Sequence, residues 1–494
     1  MQLADFQLIE KISHPAGKAA QQRELIFLKS ALHEHNPFTS TEEAIDWLRE
    51  RNEEVRVNIE RQRLDSIKDW VFHPGTGNLC HESGRFFSIE GLSVRTNWGN
   101  VSAWSQPIIN QPEIGFLGII TREIDGVLYF LMQAKIEPGN INHVQLSPTL
   151  QATKSNYSQI HKGKKPLYLE YFTSGKNKVL LDQLQSEQGA RFLRKRNRNI
   201  IIQVFEDIPV HEDFRWLTLG QIKKMMLLDN TVNMDSRTVI SGIPFGNFST
   251  EVIEFYSALS RHYISPGSHR HFEMLKSSLN EEAAIHSFND IISWLTNLKM
   301  LAELETQPLP LRQVRNWVRT DYDISHEDGK YFRVIGVNVE ISNREVKTWM
   351  QPLIEPTQEG ICAFIVKKIN GLYHFIVQAK MECGNFDILE LAPTVQCITD
   401  NYQVTPKGRL PFLDYVLETP AQCRMYDTLQ SEEGGRFFKE QNRNLVIEAE
   451  ADFEEQLPPN YIWMTLNQMK TFIRFNNYLN VQARSLISCI NFLP

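Results

Sequence analysis

Cysteine is scarce in this 494-residue chain, and what there is does not cluster. The six cysteines (Cys80, Cys362, Cys383, Cys397, Cys423, Cys489) form no CxxC pair, and five of them lie in the second half. This is poor material for a disulfide framework or a zinc site, and scattered thiols fit a reducing cytoplasm. No apolar run approaches the roughly 20 residues that a membrane helix needs, so no membrane span is expected. The opening MQLADFQLIEK carries early acids and no cationic start before an apolar run, so no secretory leader is expected. Excess positive charge is also missing. A formal net charge of −7 disfavours a general nucleic-acid or anionic-membrane surface, while a local basic site for a phosphate stays open. GTGNLC at Gly75 is not GxGxxG, and there is no P-loop, HExxH or GxSxG. The dinucleotide, P-loop, zincin and nucleophile-elbow signatures are therefore absent.

What the chain has is repetition. LQSEQGARF (Leu184 to Phe192) returns as LQSEEGGRF (Leu429 to Phe437), with seven of nine letters kept and most of them polar. WSQPIINQPEIGFLGII from Trp104 aligns with WMQPLIEPTQEGICAFI from Trp349, and FLMQAKIEPGN from Phe130 with FIVQAKMECGN from Phe375. LSPTLQ from Leu146 aligns with LAPTVQ from Leu391, all at one offset of 245. Outside this block the offset is 247: Trp47, Trp70, Trp216, Asn233 and Arg237 pair with Trp294, Trp317, Trp463, Asn480 and Arg484. Small length changes near 71–86 and 205–215 account for the difference. The repeats, roughly 20–242 and 267–490, are domain-sized and far longer than a solenoid unit. A length of 494 suits about two to four domains. The expected organisation is an N-terminal repeat (1–242), a Gly-, Pro- and Ser-containing connection (243–266) and a C-terminal repeat (267–494). The runs HEH at His33 and HRH at His269 have no histidine at the matching repeat positions and read as exposed polar positions.

Within a repeat, TEEAIDWLRERNEEVRVNIERQRL begins with Thr and two acids and spaces Ile45, Leu48 and Val55 helically, which predicts one helix or two. GRFFSIEGLSVRT predicts a strand with a turn. The apolar runs around IDG and ING predict β-hairpins. EQGARFLRKRNRN and EEGGRFFKEQNRN, each before an apolar run, predict a helix and then a strand, and WLTLGQIKKMMLLDN predicts a short helix. Each repeat is thus expected to be an α+β domain on a mixed or antiparallel sheet.

Four polar clusters recur in both copies. They are Trp104 with Gln106; Gln133, Lys135, Glu137 and Asn140 around Gly139; Thr149 and Gln151, followed by Tyr157; and Ser186, Glu187, Gly189 and Arg191, trailed by Arg198. Caps, turns and buried hydrogen bonds also repeat in a duplicated domain. Gly139 suits a turn, Ser186 and Glu187 a helix cap, and Trp104 and Trp216 the core. The Gln133-x-Lys135-x-Glu137 alternation is more pointed. Side chains two apart on a strand share a face, and a polar face ending an apolar strand suits a ligand pocket.

At these residues the chain resembles the NDP-hexose 2,3-dehydratase family. QPxI, QAKxExGN, L(S/A)PTxQ, NY and LQSExGxRF carry the resemblance, in both copies and over nearly the whole chain. It implies a tandem duplication of a Nudix-like α+β domain with a mixed sheet flanked by helices. The clustered acids of metal-dependent Nudix hydrolases are missing: LSPTLQ is followed by ATKSNYSQI, and SEQGARF keeps one Glu. A two-metal pyrophosphatase needs several converging carboxylates, so metal-dependent hydrolysis is disfavoured and no metal is expected. The implied substrate is an NDP-4-keto-6-deoxyhexose, usually dTDP-linked, and no cofactor is needed. The C4 ketone acidifies the C3 proton, a base removes it, and the enolate expels the C2 hydroxyl. The enol then tautomerises to a 3,4-diketo-2,6-dideoxy sugar, which a separate ketoreductase consumes. A Nudix-like nucleotide-sugar hydrolase and a non-catalytic sugar-nucleotide-binding protein are the alternatives. The resemblance also implies a homodimer.

The resemblance implies roles for repeat one. Glu137 is the leading candidate base, with Glu187 second and His143 a third candidate, and Lys135 would stabilise the enolate. Arg191 and Arg198 would take the diphosphate, because guanidinium forks match phosphate oxygens. Gln106, Gln133, Asn140, Gln145, Thr149 and Gln151 would add neutral contacts, and Trp104 or Tyr157 would stack on the nucleobase. A second pocket would use Trp349, Gln378, Lys380, Glu382, Asn385, Glu390, Thr394, Gln396, Tyr402, Arg436 and Arg443. The copies differ at His143/Ile388, Asn142/Asp387 and Gln145/Glu390. His143 and the more basic RFLRKRNR favour repeat one as the catalytic copy. LQSExGxRF is expected to occupy the place of the Nudix helix, capping that helix and gripping the diphosphate through Arg191 or Arg436.

Overall fold

The computed structural model describes residues 19–153, 165–246, 269–342, 347–398 and 410–493. Repeat one opens with helices α1 (Ala19–Ala31) and α2 (Thr41–Glu54). Strands β1 (Val57–Gln62), β2 (Trp70–Phe72), β3 (Leu79–His81), β4 (Ser88–Thr96), β5 (Ala103–Asn110), β6 (Gly115–Ile124), β7 (Val127–Ile136), β8 (Val144–Ser147) and β9 (Leu150–Ala152) follow. It ends with α3 (Leu169–Thr173), β10 (Lys178–Ser186), β11 (Arg196–Val204), β12 (Phe214–Thr218), α4 (Leu219–Met225) and α5 (Met234–Ser241). Repeat two keeps this order: α6 (His269–Leu279), α7 (Phe288–Leu301), β13 (Leu304–Leu309), β14 (Trp317–Arg319), β15 (Asp323–His326), β16 (Phe332–Ile341), β17 (Thr348–Pro356), β18 (Gly360–Ile369), β19 (Leu372–Lys380), β20 (Glu390–Ala392) and β21 (Val395–Ile398). Its last elements are α8 (Leu413–Glu418), β22 (Arg424–Ser431), β23 (Gln441–Glu448), β24 (Tyr461–Thr465), α9 (Leu466–Ile473) and α10 (Val481–Ser488). The chain is an α+β duplication, and each strand of repeat one has its counterpart twelve places on. No helix among the described residues is long and apolar enough to cross a membrane.

The Asp-Gly and Asn-Gly hairpins form as expected. Asp125 and Gly126 sit at φ +50° and +79°, and Asn370 and Gly371 at +51° and +79°. This doubly left-handed turn matches the twist of the strands it joins. The hairpins centre two seven-stranded sheets. The first runs β10-β11-β6-β7-β12 with β8 and β9 added on β7 and β6, and the second repeats it. Both are mixed, because β11 lies parallel to β6, and β23 to β18.

Two expectations fail. Helix α2 stops at Glu54, where Val55 turns extended, and the chain continues as β1. Val57 and Ile59 alternate with polar neighbours there, and β-branched residues at alternate positions suit a strand. The segment 187–195 is also no helix. It links antiparallel β10 and β11 with one turn, in which the Arg191 and Phe192 N–H groups donate to Gln188 O. Glu187 N–H closes the loop on Lys195 O (3.0 Å), and three further backbone bonds join the segment to other parts of the chain. Ile109 N–H donates to Arg191 O, Leu193 N–H to Ile109 O, and Arg194 N–H to Gly384 O. A backbone engaged outward cannot close a helical ladder. Ser186 and Glu187 therefore have no helix to cap.

The repeats exchange strands. β1 pairs with β16 (Val57↔Ile341 to Gln62↔Gly336), and β13 pairs with β4 (Leu304↔Thr96 to Leu309↔Gly91). Each five-stranded sheet therefore holds strands of both repeats. Helices α5 and α10 pack on one another. One buried apolar cluster spans both halves, including Ile222, Met225 and Val239 of repeat one and Met469, Phe472 and Leu486 of repeat two. Two buried lysines cross the same boundary. Lys223 Nζ donates to Ser488 O (2.9 Å) and Ile490 O (2.8 Å) at the end of α10. Lys470 Nζ donates to Ser241 O (2.9 Å) and Ile243 O (3.2 Å) at the end of α5. Each satisfies orphan carbonyls and sets a cation at the negative end of a helix. Burial pushes Lys223 down to about 8.

Candidate active site

Strand β7 presents Gln133 and Lys135 and ends just before Glu137, which is buried. Gln151 of β9 donates to Glu137 Oε1 at 2.5 Å, and Lys135 Nζ lies 3.9 Å from the same oxygen. Gln151 is held in turn by Asn233 (3.3 Å), whose side chain caps the N-terminus of α5. Repeat two builds the same relay. Asn480 donates to Gln396 at 2.7 Å, and Gln396 to Glu382 at 2.9 Å.

The duplicated LQSExGxRF loop completes the other repeat's site. Gly139 N–H donates to Gly434 O and Gly384 N–H to Gly189 O, both at 2.7 Å, and Gly189 N–H donates to Glu382 Oε2 at 3.0 Å. A methyl group on Gly139 would stand 1.6 Å from Phe437 O. The glycine sits in the expected turn, which Asn140 N–H closes on Glu137 O, and it also permits this close approach. Arg436 lies over Phe87 of repeat one (4.2 Å to the ring centre), and Arg191 over Phe332 of repeat two (4.3 Å). Gln185 donates to Ile473 O at 2.7 Å and Gln430 to Met226 O at 2.9 Å. Ser431 donates to Gln145 at 2.8 Å and Ser186 to Glu390 at 2.9 Å. The recurring polar run is the seam between the repeats.

Site one accordingly joins Lys135, Glu137, Asn140, His143 and Gln151 to Glu433 and Arg436. Site two joins Lys380, Glu382, Asn385 and Gln396 to Gln188 and Arg191. Arg191 and Arg436 thus exchange the places expected for them. Within the basic RFLRKRNR stretch, Arg191 and Arg196 stack on Phe332 and Phe386 of repeat two, while Arg198 pairs with Asp182.

The two scaffolds match, but their charge does not. Site one adds Asp235 and Glu433 to Glu137, where site two has Gln482 and Gln188. Asp235 is 3% exposed and Glu137 4%, and Asp235 Oδ1 and Glu137 Oε2 are buried without a hydrogen-bond partner. Burial, reinforced by Glu137, Glu433 and Glu187, pushes Asp235 well above the usual carboxylate range. Burial and then Glu137 push Glu433 up to about 7, against the pull of Arg436. In site two both oxygens of Glu382 are bonded, and Gln188 donates to Glu432 at 2.5 Å. A buried carboxyl oxygen with no donor, facing other carboxyls, is poised to exchange a proton.

Other expected residues are held by the scaffold. Thr149 Oγ1 accepts from Ile120 N–H (2.9 Å) and donates to Leu131 O, and Thr394 does the same with Ile365 and Ile376. Trp104 donates to Gln106 (2.9 Å), which donates to Ala190 O (3.0 Å), and Trp349 and Gln351 repeat this on Gly435. Arg198 makes a two-point ion pair with Asp182 (2.8 and 2.6 Å), and Arg443 with Asp427 (2.8 and 2.7 Å). These bonds explain why the letters recur. Gln145 also donates to Asn142 (3.0 Å), and Gln378 is buried with Oε1 unpartnered. Glu187 accepts from Asn197 at 2.6 Å, and burial raises it. His143 sits at φ +59° with Nδ1 buried and unpartnered. Burial and then Lys439 push its imidazole below the usual range, toward the neutral form. Tyr157 and Tyr402 lie outside the described residues.

Sequence reasoning missed Asp235, Glu433 and the buried arginines of α5 and α10. Arg237 donates to Ser485 Oγ and Ser431 O, and Arg484 to Ser186 O and Leu479 O, so each reaches the seam loop of the opposite repeat. The signal for the arginines was their recurrence at offset 247. The signal for Asp235 was the opposite, a charge inside a repeated segment that the second copy lacks. Among the described residues, no three His, Cys, Asp or Glu side chains converge closely enough to hold a metal ion.

A family model described as NDP-hexose 2,3-dehydratase matches residues 41–243 and again 288–490. A curated dTDP-4-dehydro-6-deoxy-alpha-D-glucopyranose 2,3-dehydratase of Saccharopolyspora spinosa is 45% identical over 469 residues, 94% of this chain and 94% of the relative. Proteins of the same name from Amycolatopsis orientalis and Streptomyces violaceoruber are each 42% identical, over 458 and 454 residues. Those matches cover 91% of this chain in both cases, and 90% and 96% of the relatives. The matched segments take in both crossed sites, and the chain belongs to the NDP-hexose 2,3-dehydratase family.

Proposed function

We propose that the chain dehydrates dTDP-4-dehydro-6-deoxyglucose at site one, with Glu137 as the base that takes the C3 proton. The names of the relatives support the substrate. One observation carries the choice of site: Glu137 keeps a buried, unpartnered oxygen among other carboxyls, whereas both oxygens of Glu382 are bonded. The Lys135 ammonium, 3.9 Å from Glu137, is the group to meet the charge that develops on the C4 oxygen. Arg436 offers a half-buried guanidinium for the diphosphate, and Gln133, Asn140 and Gln151 add neutral contacts. His143 supplies a neutral imidazole beside them.

In the same reading each seven-stranded sheet is the core of a Nudix-like unit, which its mixed order with one parallel pairing supports. The 3,4-diketo product is consumed by a separate ketoreductase. The enzyme works as a homodimer, which sedimentation analysis checks, and in the cytoplasm, which six free thiols support.

The test is dTDP-4-dehydro-6-deoxyglucose given to EDTA-dialysed wild type, Glu137→Gln and Glu382→Gln, followed by mass spectrometry. The wild type is expected to release water. Glu137→Gln should fall by about 10²–10⁴-fold, the usual worth of a positioned base, and Glu382→Gln should stay within a few-fold. Loss in Glu382→Gln alone would overturn the site. Release of a sugar phosphate, abolished by chelation, would mark a hydrolase, and binding without turnover would mark a binding protein.

A further inference from the structure

We propose that Asp235 is the acid of the reaction, delivering the proton with which the C2 hydroxyl departs as water while Glu137 takes the proton from C3. This rests on the dehydratase reading above and assigns a group that reading leaves open.

Placement comes first. Asp235 lies in the first turn of α5, directly after the N-cap Asn233 and Met234. Asn233 bonds Gln151, and Gln151 bonds Glu137, so two hydrogen bonds fix this turn of α5 against the base. The state of the two carboxyls comes second. Each is at least nine-tenths buried, and each keeps one buried oxygen without a partner. A buried carboxylate oxygen without a donor is costly, and neighbouring carboxyls in a dry site do not all ionise together. Glu137 accepts the Gln151 amide and has the Lys135 ammonium at 3.9 Å. Burial, reinforced by Glu137, Glu433 and Glu187 and opposed by Lys135, raises Asp235 well above the usual carboxylate range, which favours its protonated form. The positive end of α5 also pulls toward ionisation, but helix-end effects are small beside full burial of a carboxyl. Glu433 is the less suited acid, because it accepts Gly435 N–H at 3.1 Å and faces Arg436. Site two supplies the contrast. The relay Asn480–Gln396–Glu382 is intact there, yet the position of Asp235 holds Gln482, which has no proton to give to a leaving group.

The step balances. Glu137 takes the C3 proton, and the C3–H electron pair forms the C3=C4 bond of an enolate. That pair moves to C2=C3 as the C4 carbonyl re-forms and the C2–O bond breaks with its electrons on oxygen. Asp235 protonates this oxygen, and water leaves. Ketonisation at C3 returns the hydroxyl proton to Asp235, and the proton on Glu137 goes to C2.

Fluoride departs without a proton, so the 2-deoxy-2-fluoro analogue of dTDP-4-dehydro-6-deoxyglucose separates acid from base. Asp235→Gln installs the residue that the equivalent scaffold already carries at position 482, and Asp235→Asn serves as a second variant should the first not fold. In both, water loss from the normal substrate should fall at least 100-fold, while fluoride release, followed by fluorine NMR, should stay within about fivefold of wild type. Glu137→Gln should lose both activities, and Asp235→Glu should recover part of the water loss. The assignment is overturned if a folded Asp235 variant still dehydrates at the wild-type rate, or if it loses fluoride release along with water loss. A wild type that releases neither water nor fluoride would instead overturn the dehydratase reading itself.

Discussion

Glu390 and Gln145 occupy equivalent positions and accept the same kind of bond, from Ser186 and Ser431 respectively. Glu390 is fully buried, its other oxygen is unpartnered, and burial pushes it up to about 7 from 4.5. The folded chain therefore holds this proton at a pH where the unfolded chain has released it. The stability Glu390 contributes is complete below about 4.5 and is lost as pH rises through 7, a change of about 3 kcal/mol. Glu390→Gln keeps the Ser186 bond and imitates repeat one. It should match the wild type near pH 4.5 and exceed it by up to about 3 kcal/mol at pH 8, read as urea midpoints. At this scale the sequence separated some residues and not others. The Gln-x-Lys-x-Glu alternation led to Lys135 and Glu137 because strand geometry puts such residues on one face. Thr149 and Arg198 recurred just as faithfully, but for backbone and ion-pair bonding. A recurring letter does not say which of these it serves. Asp235 escaped because repetition draws attention to what two copies share, and at this position they differ.

The elements were legible where local chemistry decides them. Asp125-Gly126 and Asn370-Gly371 fix their hairpins through two residues of positive φ, which needs no knowledge of the rest of the chain. The loop after β10 was misread as a helix because its partners lie elsewhere, on β5 and on the Gly384 turn of the other repeat. Gly139 and Gly384 are the points of contact. Gly139→Ala would drive a methyl group into Phe437 O, and Gly384→Ala one into Phe192 O, where it would stand 2.0 Å away. Each should cost about 2 kcal/mol or more and lower the thermal midpoint. Turnover should distinguish them. Gly139→Ala displaces the loop bearing Glu433 and Arg436 and should cut kcat at least tenfold. Gly384→Ala disturbs the loop at site two and should leave kcat within a few-fold, with both measured well below their midpoints.

Across the whole molecule, duplication itself hid the arrangement. When two copies carry the same letters, a bond from Gly139 to Gly189 and a bond from Gly139 to Gly434 are written identically in the sequence. Only the fold distinguishes them, and at the seam it pairs across the repeats, β1 with β16, β13 with β4, and Lys223 with the end of α10. Residues 19–246 expressed alone should therefore fail to fold as a monomer, since β4 lacks β13 along one edge and β1 lacks β16. Co-expressed with residues 269–494, they should form a stable pair that copurifies, and circular dichroism of each half and of the mixture checks this. The crossing also has a consequence for how such a chain diverges. A short ancestral chain assembled as a two-fold dimer would carry two identical sites, and any substitution would alter both. End-to-end fusion lifts that constraint, so aspartate can stand at position 235 and glutamine at 482. Yet neither half is free to decay, because each supplies a wall of its neighbour's site. Site two, with glutamine where site one has Asp235 and Glu433, cannot be dismantled without pulling away the loops that also wall site one.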